Sequence, residues 1–302
     1  MAFNIRKKPG IREPAGDKMI SLVCYAVVFV FAAMCVIPFI IALSASFSDE
    51  LSVAKYGFSL FPRQLSLSAY RMLFKTSQIY QSYGVSLFVT FFGTLSSLLV
   101  TVLIAYPLAS GKLKYGNKIN FFVYFTMLFN GGLIPTYMLI SRYLHMKDNL
   151  LVLIVPVLIN PWNMFLMRNF FMSVPSSLAE SARIDGANEI AILFRIILPV
   201  SVPSLAAIGL FYALGYWNNW FQAMLFIDRN HLQPLQMMIM KMLRNVEFMT
   251  QMAGQLHIQA LDLPSSTIKM ATAMVTIGPI VLLYPVLQRY FTSGIMVGAV
   301  KG

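Results

Sequence analysis

Charge-free apolar runs alternate with short polar stretches along this chain. The runs cover residues 19–47, 76–111, 119–141, 149–167, 196–227 and 270–288. Each holds the roughly 17–25 residues that cross a bilayer as a helix. Inside lipid every backbone N–H and C=O needs an internal partner, so the pattern predicts six transmembrane helices. The expected fold is an all-α polytopic membrane protein: a basic tail at 1–18, one transmembrane domain over 19–292 and a short tail at 293–302. A long loop is expected at 228–269, on the side opposite both tails.

Two of the predicted helices carry interruptions. Helix three contains Asn130-Gly131-Gly132 and Pro135; helix four contains Asn160-Pro161-Trp162-Asn163. At 1.5 Å per residue both sit roughly 16 Å deep, near the midplane. Broken helices with amides at that depth fit a substrate site or hinge in a transporter. The competing reading is packing, because glycine lets helices approach and asparagine bonds across them. Helix five ends in the aromatic and amide run Tyr212 to Phe221. Aromatic faces and amides suit carbohydrate, which brings Tyr212, Trp217 and Asn218 into a candidate pathway. An aromatic belt at the interface explains the same residues, Trp220 above all.

The polar stretch 173–199, between helices four and five, has its own pattern. Pro175 suits a first helical position, and Ser177 with Glu180 has capping-box spacing. Gly186 after Asp185 reads as a helix stop. Beyond it Ile190, Leu193, Phe194 and Ile197 recur at three, four and seven, an apolar helical stripe. Leu198-Pro199 then ends or bends the second helix. The stretch is thus an elbow of two short helices. A plain amphipathic loop lying on the bilayer is the alternative reading.

Composition supports the membrane reading. Of 302 residues 58% are hydrophobic and 11% charged, against roughly 25% charged in soluble domains. The net charge of +12 does not point to nucleic acid, because the basic residues sit between apolar runs. With the N-terminus inside, thirteen Lys and Arg fall on inner pieces and ten on the longer outer pieces. That density favours N-inside and C-inside, with the elbow cytosolic. Cys24 and Cys35 lie within the first span and are expected as packing residues, with no disulfide or metal pattern. His231 and His257 are isolated.

Chemistry is sparse. The turn Gly111 to Lys118 has phosphate-loop glycine spacing, but Asn117 and Ile119 replace the required lysine and hydroxyl. No ATP site is expected, and no nucleophile–base set appears. The loop segment Leu235, Met238, Ile239, Met242 and Leu243 predicts an amphipathic helix whose methionine face rests on the membrane or receives a partner. Leu65, Leu67, Tyr70 and Leu73 predict a short surface helix. A self-contained secondary transporter coupled to protons places ionisable groups within its spans; the six runs contain none, and sodium coupling through carbonyls stays open as the alternative.

The order Glu180-Ser181-Ala182, Asp185-Gly186-Ala187, then Ile197-Leu198-Pro199 resembles the "EAA" coupling loop of ABC-importer membrane subunits. Ser181 stands where that family usually has its first alanine, and serine is small enough to keep close packing. The resemblance covers almost the whole chain and is strongest from Phe129 to Trp220. It is to maltose-type sugar permeases, in particular those importing oligosaccharides. It implies a multi-pass protein of the bacterial cytoplasmic membrane that is not itself an enzyme. The implied partners are a second homologous permease, two ATPase subunits that bind ATP and Mg, and an extracytoplasmic sugar-binding protein. Glu180 is implied to meet a basic group in the ATPase cleft. Ala182 and Gly186 would allow close docking, and Asp185 would fix the elbow. Ile197, Leu198 and Pro199 would join it to helix five. Asn130, Gly131, Asn160, Trp162, Asn163, Tyr212, Trp217 and Asn218 are the expected substrate pathway.

Overall fold

The computed structural model of the chain describes residues 15–255 and 266–279. The start of the basic tail, His257, the inner half of expected helix six and the tail 293–302 lie outside the described residues. Helix α1 (Ala15–Ser46) and helix α4 (Ser77–Ala109) are long and apolar enough to cross a bilayer. Between them come α2 (Glu50–Tyr56) and α3 (Ser68–Phe74). Asp49 caps α2 by accepting the Leu51 N–H at 3.2 Å, a start signal that hydropathy alone does not reveal. Leu65 and Leu67 fall before α3, so the expected surface helix is shorter than its apolar pattern.

The next three expected spans are not straight rods. α5 (Gly116–Leu128) and α6 (Leu133–Met138), which a π-helical turn extends to Tyr143, meet at 108°. The 3-10 turns at 150–157 meet α7 (Pro161–Ser173) at 52°. α8 (Ser176–Ile184) and α9 (Glu189–Ile192) follow, then a π-helical turn and α10 (Leu198–Val200). Segment Glu189–Val200 meets α11 (Val202–Trp217) at 86°. The chain continues through α12 (Trp220–Phe226), α13 (Leu235–Gln255) and α14 (266–279).

The breaks have local causes. Asn130 Oδ1 accepts the Gly132 N–H at 2.8 Å, and Gly132 takes φ +87°. Asn160 Oδ1 accepts the Asn163 N–H at 3.1 Å, with Pro161 in the first turn of α7. An asparagine cap followed by proline starts a helix rather than continuing one.

The core is the seam between α4 and α11. α4 buries Ser82, Ser86, Val89, Gly93, Ser97, Thr101 and Ala105, spaced by three or four; Ser86 meets Leu235 of α13, and Gly93, Ser97 and Thr101 meet α11. Small side chains at that spacing let backbones approach in a membrane. A Cβ on Gly93 would lie 2.7 Å from the Tyr216 ring, and one on Gly209 would lie 3.1 Å from Leu98. Across the seam Ser97 and Tyr216 hydroxyls pair at 2.7 Å, as do Thr101 and Tyr212.

Two expectations are corrected. The Leu235, Met238, Ile239, Met242 and Leu243 face of α13 is not free. It packs on Ala69, Leu73, Trp217 and Ile268. The exposed large apolar side chains of α13 are instead Phe248, Met249 and Met252. Apolar periodicity marks a buried face without saying what buries it. Cys24 and Cys35 are exposed rather than packed within the chain, because over Met19–Ser46 α1 buries none of its most apolar stretch.

Candidate functional site

At one end of the seam lies the two-helix joint. α8 closes with Asp185 N–H donating to Ser181 O at 3.1 Å and Ala187 N–H to Ala182 O at 2.9 Å. Gly186 between them has φ +82°, the left-handed conformation that favours glycine. Asn188 starts α9 by accepting the Ala191 N–H at 2.8 Å. Nothing lies within 4 Å of a Cβ built on Gly186, so its outer side is open. Glu180, Ser181 and Asp185 are exposed, and Glu180 pairs with no other described residue. Ala182, by contrast, turns inward into the core at 8% exposure, with Ala187 packed beside it. Its small size serves the chain's own packing. Ile197 is buried, Leu198 half-buried and Pro199 exposed, which joins the joint to α11.

One residue here carries no sequence signal. Glu189 Oε1 accepts from Arg183 Nε at 2.8 Å and from Lys112 Nζ at 3.4 Å. Its Oε2 accepts from Tyr106 Oη at 2.8 Å and Arg183 Nη2 at 3.2 Å. The Arg183 guanidinium, then the Tyr106 hydroxyl, hold the Glu189 carboxyl at about 2, well below its ordinary 4.5. Tyr106 and Lys112 are distant in sequence, so no spacing rule joins them.

Farther along the seam lies a cleft of ≈ 240 Å³ between α7 and α11. Asn160, Asn163, Tyr212, Tyr216 and Asn219 line it, with Val157, Phe211 and Gly215. The structure thus brings together three of the expected pathway residues, Asn160, Asn163 and Tyr212. Tyr212 Oη accepts the Asn160 N–H at 3.2 Å, so hydroxyl and break are one unit. Asn219 and Tyr216 were outside the expected set. Tyr216 follows Tyr212 by four on one face of α11, a signal the aromatic run already contained, whereas Asn219 lies past the end of that helix.

The remaining pathway candidates sit elsewhere. Asn130, Gly131 and Trp162 are exposed and do not line the cleft. Trp217 is buried at 5%, donating its indole N–H to Thr276 O at 3.2 Å beside Tyr83. Asn218 donates to Leu214 O at 3.0 Å and accepts from Gln236 at 3.1 Å. Trp217 and Asn218 therefore tie α11 to its neighbours. Among the described residues no group of three potential metal ligands occurs.

The other end of the bundle is held by carboxylates. Glu50 accepts from the Ser266 and Thr267 N–H groups at 2.9 and 2.8 Å, at the start of α14. Asp148, at φ +56°, accepts from Asp228 N–H at 2.7 Å and Arg229 N–H at 3.0 Å. Lys147 pairs with Asp228 at 2.7 Å.

Residues 82–297 match the family described as "Binding-protein-dependent transport system inner membrane component". The chain is 40% identical over 288 residues to the polygalacturonan/rhamnogalacturonan transport system permease protein YtcP of Bacillus subtilis, covering 95% of this chain and 99% of that one. It is 29% identical to the arabinooligosaccharides transport system permease protein AraQ of Halalkalibacterium halodurans, over 91% of this chain and 94% of that one. A solved chain from a bacterial ABC transporter involved in import of the acidic polysaccharide alginate superposes with TM-score 0.81. Its identity is 31%, over 92% of this chain and 99% of that one.

Proposed function

Because this chain belongs to the family of binding-protein-dependent transport system inner membrane components, we propose that it is the permease subunit of an ATP-driven importer of oligosaccharides. The observation that carries this reading is the joint. It is a glycine hinge with an exposed carboxylate, Glu180, on one side and a membrane helix, α11, on the other. Relatives named for polygalacturonan and arabinooligosaccharide transport support a carbohydrate cargo. The cleft supports it too: its amides and tyrosines offer hydrogen bonds to sugar hydroxyls and flat faces to sugar C–H surfaces.

The chain crosses the membrane six times with both termini inside, and its joint faces the cytosol. It works beside a second, homologous permease. Two ATPase subunits bind ATP and Mg, and an extracytoplasmic binding protein delivers the sugar. Catalysis of ATP hydrolysis belongs to the ATPases; this chain is the transmission. Closure of the ATPase pair draws the joints together, and the rigid α4–α11 seam carries the movement to the cleft. Glu180 meets a basic group of the ATPase, while Gly186 leaves room for it. Asn160, Asn163, Tyr212 and Asn219 line the sugar path.

The test is reconstitution. Alone in proteoliposomes, the chain is expected neither to transport nor to hydrolyse ATP. Co-expressed with an ATPase, a second permease and a binding protein, it is expected to form a stable complex that imports oligosaccharide on ATP addition. Import by the isolated chain under a sodium or proton gradient would establish a secondary transporter instead.

A further inference from the structure

We infer that Glu189 is a positioning residue that fuses the joint to the inner end of α4, so that a push on the joint enters α4 directly as well as α11. The inference rests on the coupling role proposed above for the joint.

The need for such a residue follows from the anchoring of α8. Of its nine residues only Ala182 is buried, and a four-residue link, Asp185 to Asn188 with Gly186 at φ +82°, connects it to α9. A helix so held can pivot. α9 and the following turn are better anchored, with Ile192, Leu193 and Ile197 buried. Glu189 stands at the start of that anchored segment. Its two oxygens take four donors from three places: Arg183 on α8, Tyr106 near the end of α4, and Lys112 in the turn after α4.

The geometry is specific. A guanidinium fork on a carboxylate fixes orientation as well as distance. Tyr106 is itself nearly buried at 9% and packs edge-on against Phe171 at 6.2 Å. Its hydroxyl is therefore a fixed point rather than a floppy donor. A second tether reinforces the same end: Arg168 Nε of α7 donates to Leu108 O at 3.3 Å. Exposed ion pairs taken singly stabilise little. Here the carboxylate sets where a helix points, which a small energy suffices to do when that helix has one buried residue.

The experiment uses the complete complex, with binding protein, in proteoliposomes. Glu189→Gln keeps size and removes charge. Sugar imported per ATP hydrolysed is expected to fall about fivefold, with assembly and ATP hydrolysis retained. Spin labels on Ser177→Cys and Lys114→Cys, with Cys24→Ser and Cys35→Ser, report the distance from α8 to the turn after α4. In the parent it is expected to be single and equal with and without trapped ATP; Glu189→Gln should broaden it. Tyr106→Phe should give a smaller loss and add nothing on top of Glu189→Gln, since both act through one carboxylate. If Glu189→Gln fails to assemble, Tyr106→Phe alone carries the test by broadening or preserving that distance. Normal import with an unchanged distance in Glu189→Gln, beside uncoupling by Gly186→Asp, overturns the inference and leaves the joint's role standing. Normal import in both variants removes the joint's role and the inference with it.

Discussion

The α4–α11 seam and the α8–α9 joint use opposite means to hold two helices. The seam is neutral and closed: glycine, serine and threonine against tyrosine rings, with hydroxyl pairs at 2.7 Å. The joint is charged and open, with no neighbour within 4 Å of a Gly186 Cβ and one carboxylate gathering Arg183, Tyr106 and Lys112. A neutral seam at lipid depth costs no desolvation of charge and stays set. A charged joint with an open outer side leaves surface for the partner proposed above. The difference assigns rigidity to one region and contact to the other.

The largest expected effect breaks the seam. Gly93→Val forces atoms into the Tyr216 ring, where even a Cβ has only 2.7 Å. Overpacking of this kind costs about 1–3 kcal/mol. Yield of folded protein extracted from membranes, and its thermal aggregation midpoint, should both fall. Gly186→Asp should lower both far less, by no more than the strain of a side chain at φ +82°. Aspartate tolerates the left-handed backbone better than most residues, and the chain leaves it space. In the assembled complex, however, Gly186→Asp should abolish import while ATP hydrolysis continues. If it lowers folded yield as Gly93→Val does, the contrast between the two regions disappears.

A smaller effect is expected from Tyr212→Phe. It removes the bonds to Thr101 and the Asn160 N–H, worth about 1 kcal/mol in a membrane interior. The thermal midpoint should drop slightly, and import should slow because the start of α7 loosens. An unchanged midpoint would mean that the hydroxyl serves the cargo alone.

The smallest effect concerns pH. Glu189 has its folded pKa depressed to about 2 from 4.5. Its contribution is therefore fully present above about 4.5 and is lost as pH falls toward 2. Hydrogen exchange of α8 amides, corrected for intrinsic rates, should show the same protection from pH 8 to pH 5. Loss of protection between pH 8 and 6 would mean that the carboxylate does not hold α8. The seam, having no charge, should show no such dependence.

Much of this arrangement is legible before folding. Long charge-free runs mark α1 and α4, and Asp185-Gly186 marks the joint, because positive φ restricts the residue choice there. Asn160-Pro161 marks a break for another local reason, an asparagine cap with proline in the first turn. The seam is harder to see: Gly93, Ser97 and Thr101 look like dilution of an apolar run until Tyr212 and Tyr216 are placed against them. Trp217 has a composition suited to sugar, but its indole bonds Thr276, a partner fixed only by tertiary structure. Glu189 is invisible for a related reason. A carboxylate six residues past Arg183 has no helical spacing, and its other donors come from α4 and the turn behind it.

The account stands on contact between the joint and an ATPase. Single cysteines introduced along 180–186, in a background with Cys24→Ser and Cys35→Ser, test it in native membranes with a short bifunctional cross-linker. The expected result is one adduct with a nucleotide-hydrolysing subunit, strongest at the exposed positions Glu180→Cys and Asp185→Cys and absent at the buried Ala182→Cys. Failure of every position to capture such a subunit, with the complex otherwise intact, would contradict it.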